Sequence, residues 1–282
     1  MKMTKGLVTP FTIVKVREKQ YVEEADLVAV EEPLQIRLEY ERGGDFITKD
    51  LLVTMRSPGH DFDLAMGFLF AEQVIHREKD ILWIRYCKRV KEEEKGNVII
   101  VRLAQELNFD MNHLLERNFY THSSCGVCGK TAISAVCGHL EMVNGNFQQQ
   151  ILARTLMGLP KSLSINQYGF KYTGGLHAAV LFDVHGNLLL LREDVGRHNA
   201  LDKLVGASLN EGIDLENKVV LLSGRVSFEM VQKTIRAKIP FLAAIGAPTH
   251  LSVSLAREKG ITMVGFLKKD RFNIYSHPYR IK

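Results

Sequence analysis

Cys125 and Cys128 stand three apart in "HSSCGVCGK" (residues 122–130), each followed by a glycine, with His122 upstream and Lys130 directly after. A pair spaced this way can ligate a metal, cycle between dithiol and disulfide, or present one thiolate as a nucleophile. A four-ligand zinc site would need Cys137 and His139 as well, giving Cys-x2-Cys-x8-Cys-x-His. A redox pair would sit at the start of a helix, for which "KTAISAVCG" offers the sequence. A nucleophile would use the uncrowded backbone of Gly126 and Gly129, with Lys130, His122 and a helix start lowering the thiol pKa. Spacing alone leaves all three open.

The elements that must position these sulfurs belong to an ordinary globular chain. Its 282 residues are 46% hydrophobic and 24% charged, enough for one large domain or a domain with a smaller partner. No apolar run reaches membrane-spanning length, and the start "MKMTKGLVTPFTIVKV" lacks the pattern of a secretory signal, so a cytoplasmic protein is expected. Four cysteines are too few for a disulfide scaffold, and Cys87 in "ILWIRYCKR" reads as an inert strand residue. The net charge of +5 favours an anionic ligand or acidic partner, but scattered lysines and arginines do not mark a nucleic-acid surface.

The first hundred residues read as strands: "FTIVKVR", "PLQIRLEYE", "FITKDLLVTMR", "ILWIRYCKRV" and "NVIIVRLA". One helix interrupts them at "SPGHDFDLAMGFLFAEQVI", with Asp61 as N-cap candidate. "FQQQILARTLMGLP" reads as a helix closed by Pro160 and Lys161. From "LHAAVLFDV" onward, a hairpin across "HGN" leads into apolar strands alternating with helices, the pattern of a buried parallel sheet. Ligands of such sheets lie beyond the carboxyl ends of the strands. There the chain places Asp194, Gly196, Arg197 and His198 in "REDVGRHN", Ser223, Gly224 and Arg225 in "SGRVS", and Gly246, Ala247, Pro248 and Thr249 in "GAPTH". "YTGGLHAA" adds Gly174, Gly175 and His177. Glycine beside arginine or histidine suits phosphate oxygens, so a phosphorylated ligand is expected. His198 is open between metal ligand, general base, anion contact and a structural bond to Asp194 or Asp202.

"SSCGVCGK", "MRSPGHDFDLAMGFL", "TGGLHAA", "REDVGRHNALDK", "LSGRVSFEMVQK" and "IGAPTHLSVSLA" run in order over roughly residues 31 to 278. Together they resemble the formate dehydrogenase accessory sulfurtransferase family, known as FdhD. The resemblance implies a cytoplasmic sulfur carrier and a homodimer, without nucleic-acid or membrane partners. Such a carrier takes persulfide sulfur from a cysteine desulfurase and delivers it to the molybdenum or tungsten bis-guanine-dinucleotide cofactor of a formate dehydrogenase. It places the persulfide on Cys125, gives Cys128 a relay or assisting part, and removes the support for a zinc set on Cys137. It assigns guanine-dinucleotide binding to Phe266, Leu267, Lys268, Lys269, Asp270 and Arg271, with GDP or GMP as a partial mimic and no intrinsic metal. Its fold is α/β: a cytidine deaminase-like three-layer α/β/α core over residues 106–282 and a smaller β-rich domain with one helix over 1–105. Ser124 stands where a zinc deaminase carries proline before its cysteine pair, so deamination chemistry is not expected.

Overall fold

A computed structural model describes residues 6–104, 140–143 and 150–282. Cys125, Cys128, Cys137, His122, His139, the expected helix "KTAISAVCG" and the expected domain boundary near residue 105 lie outside these described residues.

The chain opens with an antiparallel hairpin, β1 (Val8–Arg17) and β2 (Gln20–Ala29). Its two-residue turn, Glu18 and Lys19, has φ of 45° and 73°, the twist that matches tight hairpins. A four-stranded sheet follows in the order β4-β3-β6-β5, built from β3 (Glu32–Arg42), β4 (Asp45–Arg56), β5 (Ile81–Tyr86) and β6 (Val98–Leu103). In β3 the period of two is clean: Leu34, Ile36, Leu38 and Tyr40 are buried, and the polar residues between them are not. Helix α1 (Asp61–Ala71) covers that buried face through Leu64, Ala65 and Leu69. Its N-cap is His60, in a left-handed conformation, rather than Asp61. Asp61 instead accepts two bonds from the buried guanidinium of Arg56, at 3.0 and 2.8 Å. Cys87 lies one residue past β5 and is half-buried, its N–H still bonded to Val98.

The second sheet has six strands in the order β12-β11-β10-β9-β7-β8. These are β7 (His177–Asp183), β8 (Leu188–Asp194), β9 (Lys218–Leu222), β10 (Phe241–Ala244), β11 (Thr262–Gly265) and β12 (Asn273–Ser276). Only β9, β10 and β11 run parallel; β7, β8 and β12 are antiparallel to their neighbours, so the sheet is mixed where sequence alone pointed to a parallel one. Along β7, β9, β10 and β11 both faces are buried, which is why these strands are largely apolar, while the edge strands β8 and β12 carry polar and exposed residues. Val220, Leu222, Leu242 and Ala244 face α4 (Arg197–Asn210), α5 (Phe228–Arg236) and α6 (His250–Lys259). Val219, Leu221, Phe241 and Ala243 face α2 (Ala153–Asn166). A short helix, α3 (Tyr168–Thr173), completes the set.

Helix α2 does not stop at Pro160; the proline lies inside it. An internal proline forfeits one ladder bond and costs about 3 kcal/mol. Leu156, Leu159 and Leu163 carry one buried stripe across it, and burying each leucine contributes about 1.5–3 kcal/mol. The strand β12 and helix α3, which the sequence did not announce, are four and six residues long, too short for a periodic signal.

The two sheets are joined by α1 lying on α4. A β-carbon added at Gly67 would come within 1.8 Å of the Asp202 carbonyl oxygen, and one at Gly206 within 1.9 Å of the Asp63 carbonyl oxygen. Backbone meets backbone at this crossing, and no larger residue fits. Gly206→Ala should therefore lower the free energy of unfolding by about 3 kcal/mol or more, through forced separation of the helices. Gly158→Ala, on an open face of α2 with nothing within 4 Å, should instead be neutral or stabilise by up to about 1 kcal/mol. Denaturant titration of both variants checks the contrast.

Candidate functional site

Three connections leave the carboxyl ends of β9, β10 and β11 and bind one another through their backbones. Val226 N–H donates to Ala247 and Thr249 N–H to Val226, both at 3.0 Å; Phe266 N–H donates to Gly246 at 3.1 Å. Gly246 sits so close to the neighbouring connection that an added β-carbon would lie 2.7 Å from the Gly224 carbonyl oxygen. Phe266 takes a left-handed φ of 52°, which turns the chain out of β11 with its ring half-exposed. Lys268, Lys269, Asp270 and Arg271 follow as an exposed turn closed by Lys268 N–H on the Arg271 carbonyl, and Leu267 is buried below them.

Strand β7 runs opposite to β9, so its first residue, His177, arrives at the same end as Gly224. The imidazole packs on that glycine: an added β-carbon there would meet Nδ1 at 3.2 Å and the Arg197 side chain at 3.8 Å. Arg197 comes from the first turn of α4, and Arg225 from the β9–α5 connection, where it is exposed. Burial holds the His177 pKa below its usual value, and the Arg197 and Arg225 charges act the same way against the opposing pull of Asp194. The neutral form of the ring is therefore favoured, with both cations acting on it. Arg197 Nε is buried with no hydrogen-bond partner among the described residues. A buried donor left open beside a second guanidinium, a helix start and two side-chain-free glycines forms a cradle for an anion's oxygens.

Other residues singled out from sequence have architectural tasks. Ser223 Oγ accepts from Ala178 N–H at 2.8 Å and clamps β7 to β9. Thr249 caps α6 in a reciprocal box with Ser252. Gly174 ends α3 in the left-handed region at φ 65°, and Gly175 lies against the Ala29 methyl. Gly196 is the N-cap of α4, while Pro248 packs on Gly265. His198 is buried, with Nε2 3.3 Å from Ser227 Oγ and 3.4 Å from Glu229 Oε2. Asp194 has no exposed surface and accepts from Ser57, Gly196, Asn199 and Lys203. The side chains that face the cradle are thus His177, Arg197 and Arg225, with the Phe266–Arg271 turn two strands away along the same edge.

Sequence reasoning missed the buried charges beneath this site. Lys203 pairs with Asp194 at 2.7 Å, and Lys233 holds both oxygens of Asp202 at 2.7 and 2.8 Å. Burial works against the Lys233 charge, yet Asp202 and Glu229 outweigh it and keep its pKa raised. The available signal was the placement of Asp202, Lys203 and Lys233 on core-facing positions of α4 and α5, where a solvated charge has no place.

The family model for FdhD/NarQ matches residues 29–282, beginning at the last residue of β2. A protein named "Sulfur carrier protein FdhD" from Mycolicibacterium paratuberculosis is 46% identical over 265 residues, 93% of this chain and 94% of that one. One of the same name from Saccharolobus solfataricus is 38% identical, covering 96% of this chain and 97% of its own. In fold, the chain is similar to a crystal structure of a candidate formate dehydrogenase accessory protein from Desulfotalea psychrophila, with a TM-score of 0.76, 24% identity and coverage of 98% and 100%. A family model spanning both sheets, and relatives matched over nearly their whole length, establish that this chain belongs to the FdhD/NarQ family.

Proposed function

We propose that this protein is a cytoplasmic, homodimeric sulfur carrier. It accepts sulfur as a persulfide on Cys125 from a cysteine desulfurase and delivers it to a molybdenum or tungsten bis-guanine-dinucleotide cofactor, bound as substrate, that serves a formate dehydrogenase. The observation that carries the reading is the cradle of Arg197, Arg225 and neutral His177 around Gly224, in a chain of this family. Diphosphate oxygens suit the two guanidiniums and the open Nε donor of Arg197. Phe266 offers a half-exposed ring for a purine to stack on, with Lys268, Lys269 and Arg271 beside it. The order β8-β7-β9-β10-β11, with β7 antiparallel to β9, and helices over both faces support a deaminase-like three-layer core.

In the loading step the Cys125 thiolate attacks the outer sulfur of the donor persulfide; a new S–S bond forms, and the desulfurase cysteine leaves as a thiolate. No net oxidation occurs. In delivery the outer sulfur passes to the substrate cofactor as a neutral atom, two electrons come from that cofactor's metal, and the Cys125 thiolate is regenerated. The strand-end cradle holds the polyanion so that transfer becomes a reaction between positioned partners. Cys128 assists this exchange.

Incubation with a cysteine desulfurase and cysteine should add about 32 Da, one sulfur atom, to the peptide carrying Cys125 and not to Cys125→Ser. Retained formate dehydrogenase maturation by Cys125→Ser would sink the reading in favour of a cofactor chaperone without sulfur chemistry. Calorimetry with GDP tests the cradle: Arg197→Gln and Arg225→Gln should each weaken binding about tenfold, the scale of one charge-assisted hydrogen bond. An anion next to His177 favours its protonated form, so the bound-state pKa exceeds the depressed free-state value. GDP affinity should therefore rise as pH falls through the interval between them, and His177→Asn should flatten that rise.

A further inference from the structure

Asp194 ends β8 fully buried, and its carboxylate is a hub for four donors. One oxygen accepts from Gly196 N–H at 2.8 Å and Asn199 Nδ2 at 3.1 Å; the other accepts from Ser57 N–H at 3.1 Å and Lys203 Nζ at 2.7 Å. Lys203, also fully buried, donates in addition to the Ser57 carbonyl at 2.8 Å, and Asn199 Nδ2 reaches the Met55 carbonyl at 2.8 Å. The hub therefore ties the start of α4 to the loop that precedes α1. Asp194 is also the cross-strand partner of His177, so the two side chains leave the sheet on one face. The charges acting on the His177 ring are Asp194 from β8, Arg197 from α4 and Arg225 from the β9–α5 connection.

We propose that Lys203 is a positioning residue for the anion cradle: paired with Asp194 below the site, it fixes the α4 start that carries Arg197 and screens the Asp194 charge from His177 above. The inference rests on reading the strand-end loops as an anion site. Without Lys203, a buried carboxylate with three neutral donors and no countercharge would stand beside the cradle. It would draw a proton onto His177 and repel the incoming anion. If both members of the pair were neutral, the one group among the described residues that pulls a proton onto His177 would be gone, and the two guanidiniums would act unopposed.

The two variants therefore shift His177 in opposite directions, which loss of structural support alone would not do. The experiment is an NMR titration of the His177 imidazole, assigned with His177→Gln, in wild type, Lys203→Met and the double variant Asp194→Asn/Lys203→Met. Pyrophosphate affinity is measured by calorimetry on the same proteins. The His177 pKa should rise by about one unit in Lys203→Met and fall below the wild-type value in the double variant. Pyrophosphate binding at pH 7.5 should weaken about tenfold in Lys203→Met and recover most of that loss in the double variant. Should Lys203→Met fail to fold with its unpaired carboxylate, Asp194→Asn alone set against the double variant still decides: the Lys203 charge left behind should hold the His177 pKa below that of the double variant, and equal values overturn the inference. If the pKa order holds but wild type does not bind pyrophosphate, the screening by Lys203 stands and the assignment of the loops as an anion site falls. If wild type binds pyrophosphate and all three proteins titrate alike, the site stands and the role of Lys203 falls.

Discussion

The arrangement of this protein depends on how closely α1 can lie on α4. Gly67 and Gly206 let each helix press its backbone onto a carbonyl of the other, at Asp202 and Asp63, and side chains of any size would hold the axes apart. The crossing lets α1 cover two surfaces at once: the apolar face of the first sheet and the outer face of the helix that starts the cradle. Phe70 and Leu209 pack against both hydrophobic cores at this seam, so the cores are continuous through it. Because α1 is fixed there, the loop before it is carried to Asp194, and Ser57 becomes part of the second sheet's site although it leaves the first.

Buried and partly buried ion pairs surround the crossing. Arg56 with Asp61 fixes the loop entering α1; Lys203 with Asp194 fixes the start of α4; Lys233 with Asp202 joins α5 to α4; Arg192 with Asp63 joins β8 to α1. Desolvation consumes much of the Coulomb attraction in such pairs, so they add little net stability compared with apolar residues of the same shape. Their effect is on uniqueness. Breaking one partner leaves an uncompensated buried charge, so any alternative docking of α1 that separates a pair is excluded by several kcal/mol. The glycine crossing permits close approach, and the charges select one register for it.

Hydrophobic period carried most of the architecture. The alternation in β3 and the apolar runs of β7, β9, β10 and β11 were legible because burial on one face or two leaves a direct imprint on residue type. β2 was not, because Glu23, Glu24 and Asp26 interrupt its apolar residues on a ribbon that is largely exposed. The hairpin of β7 with β8 was legible across "HGN", but the antiparallel direction of β7 against β9 was hidden: strand direction is set by connections and partners, and apolar content is the same either way. Pro160 misled because a proline marks the end of a helix only when no buried stripe continues past it. For the site, glycine next to arginine located the strand-end loops, yet the sequence could not separate Arg197, which faces the cradle, from Asp194 and His198, which lie buried behind it. All three lie in one eight-residue motif, and only the register of α4 against β8 sorts them.

That sorting explains why such long motifs surround so few groups able to touch a ligand. In "REDVGRHNALDK" Arg197 faces the cradle; Asp194, Asn199 and Lys203 hold the helix start, and Asp202 engages α5. In "SGRVSFEMVQK" Arg225 faces outward, Ser223 clamps the strands, Ser227 and Glu229 hold His198, and Lys233 returns to Asp202. A cradle made of two guanidiniums and bare backbone has little shape of its own, since arginine side chains are long and glycine imposes no wall. Its geometry must come from rigid ground beneath it, and the buried charges supply that ground. A change at Asp202 or Lys233, both buried away from the cradle, would therefore reach it through α4, by displacing the turn that presents Arg197.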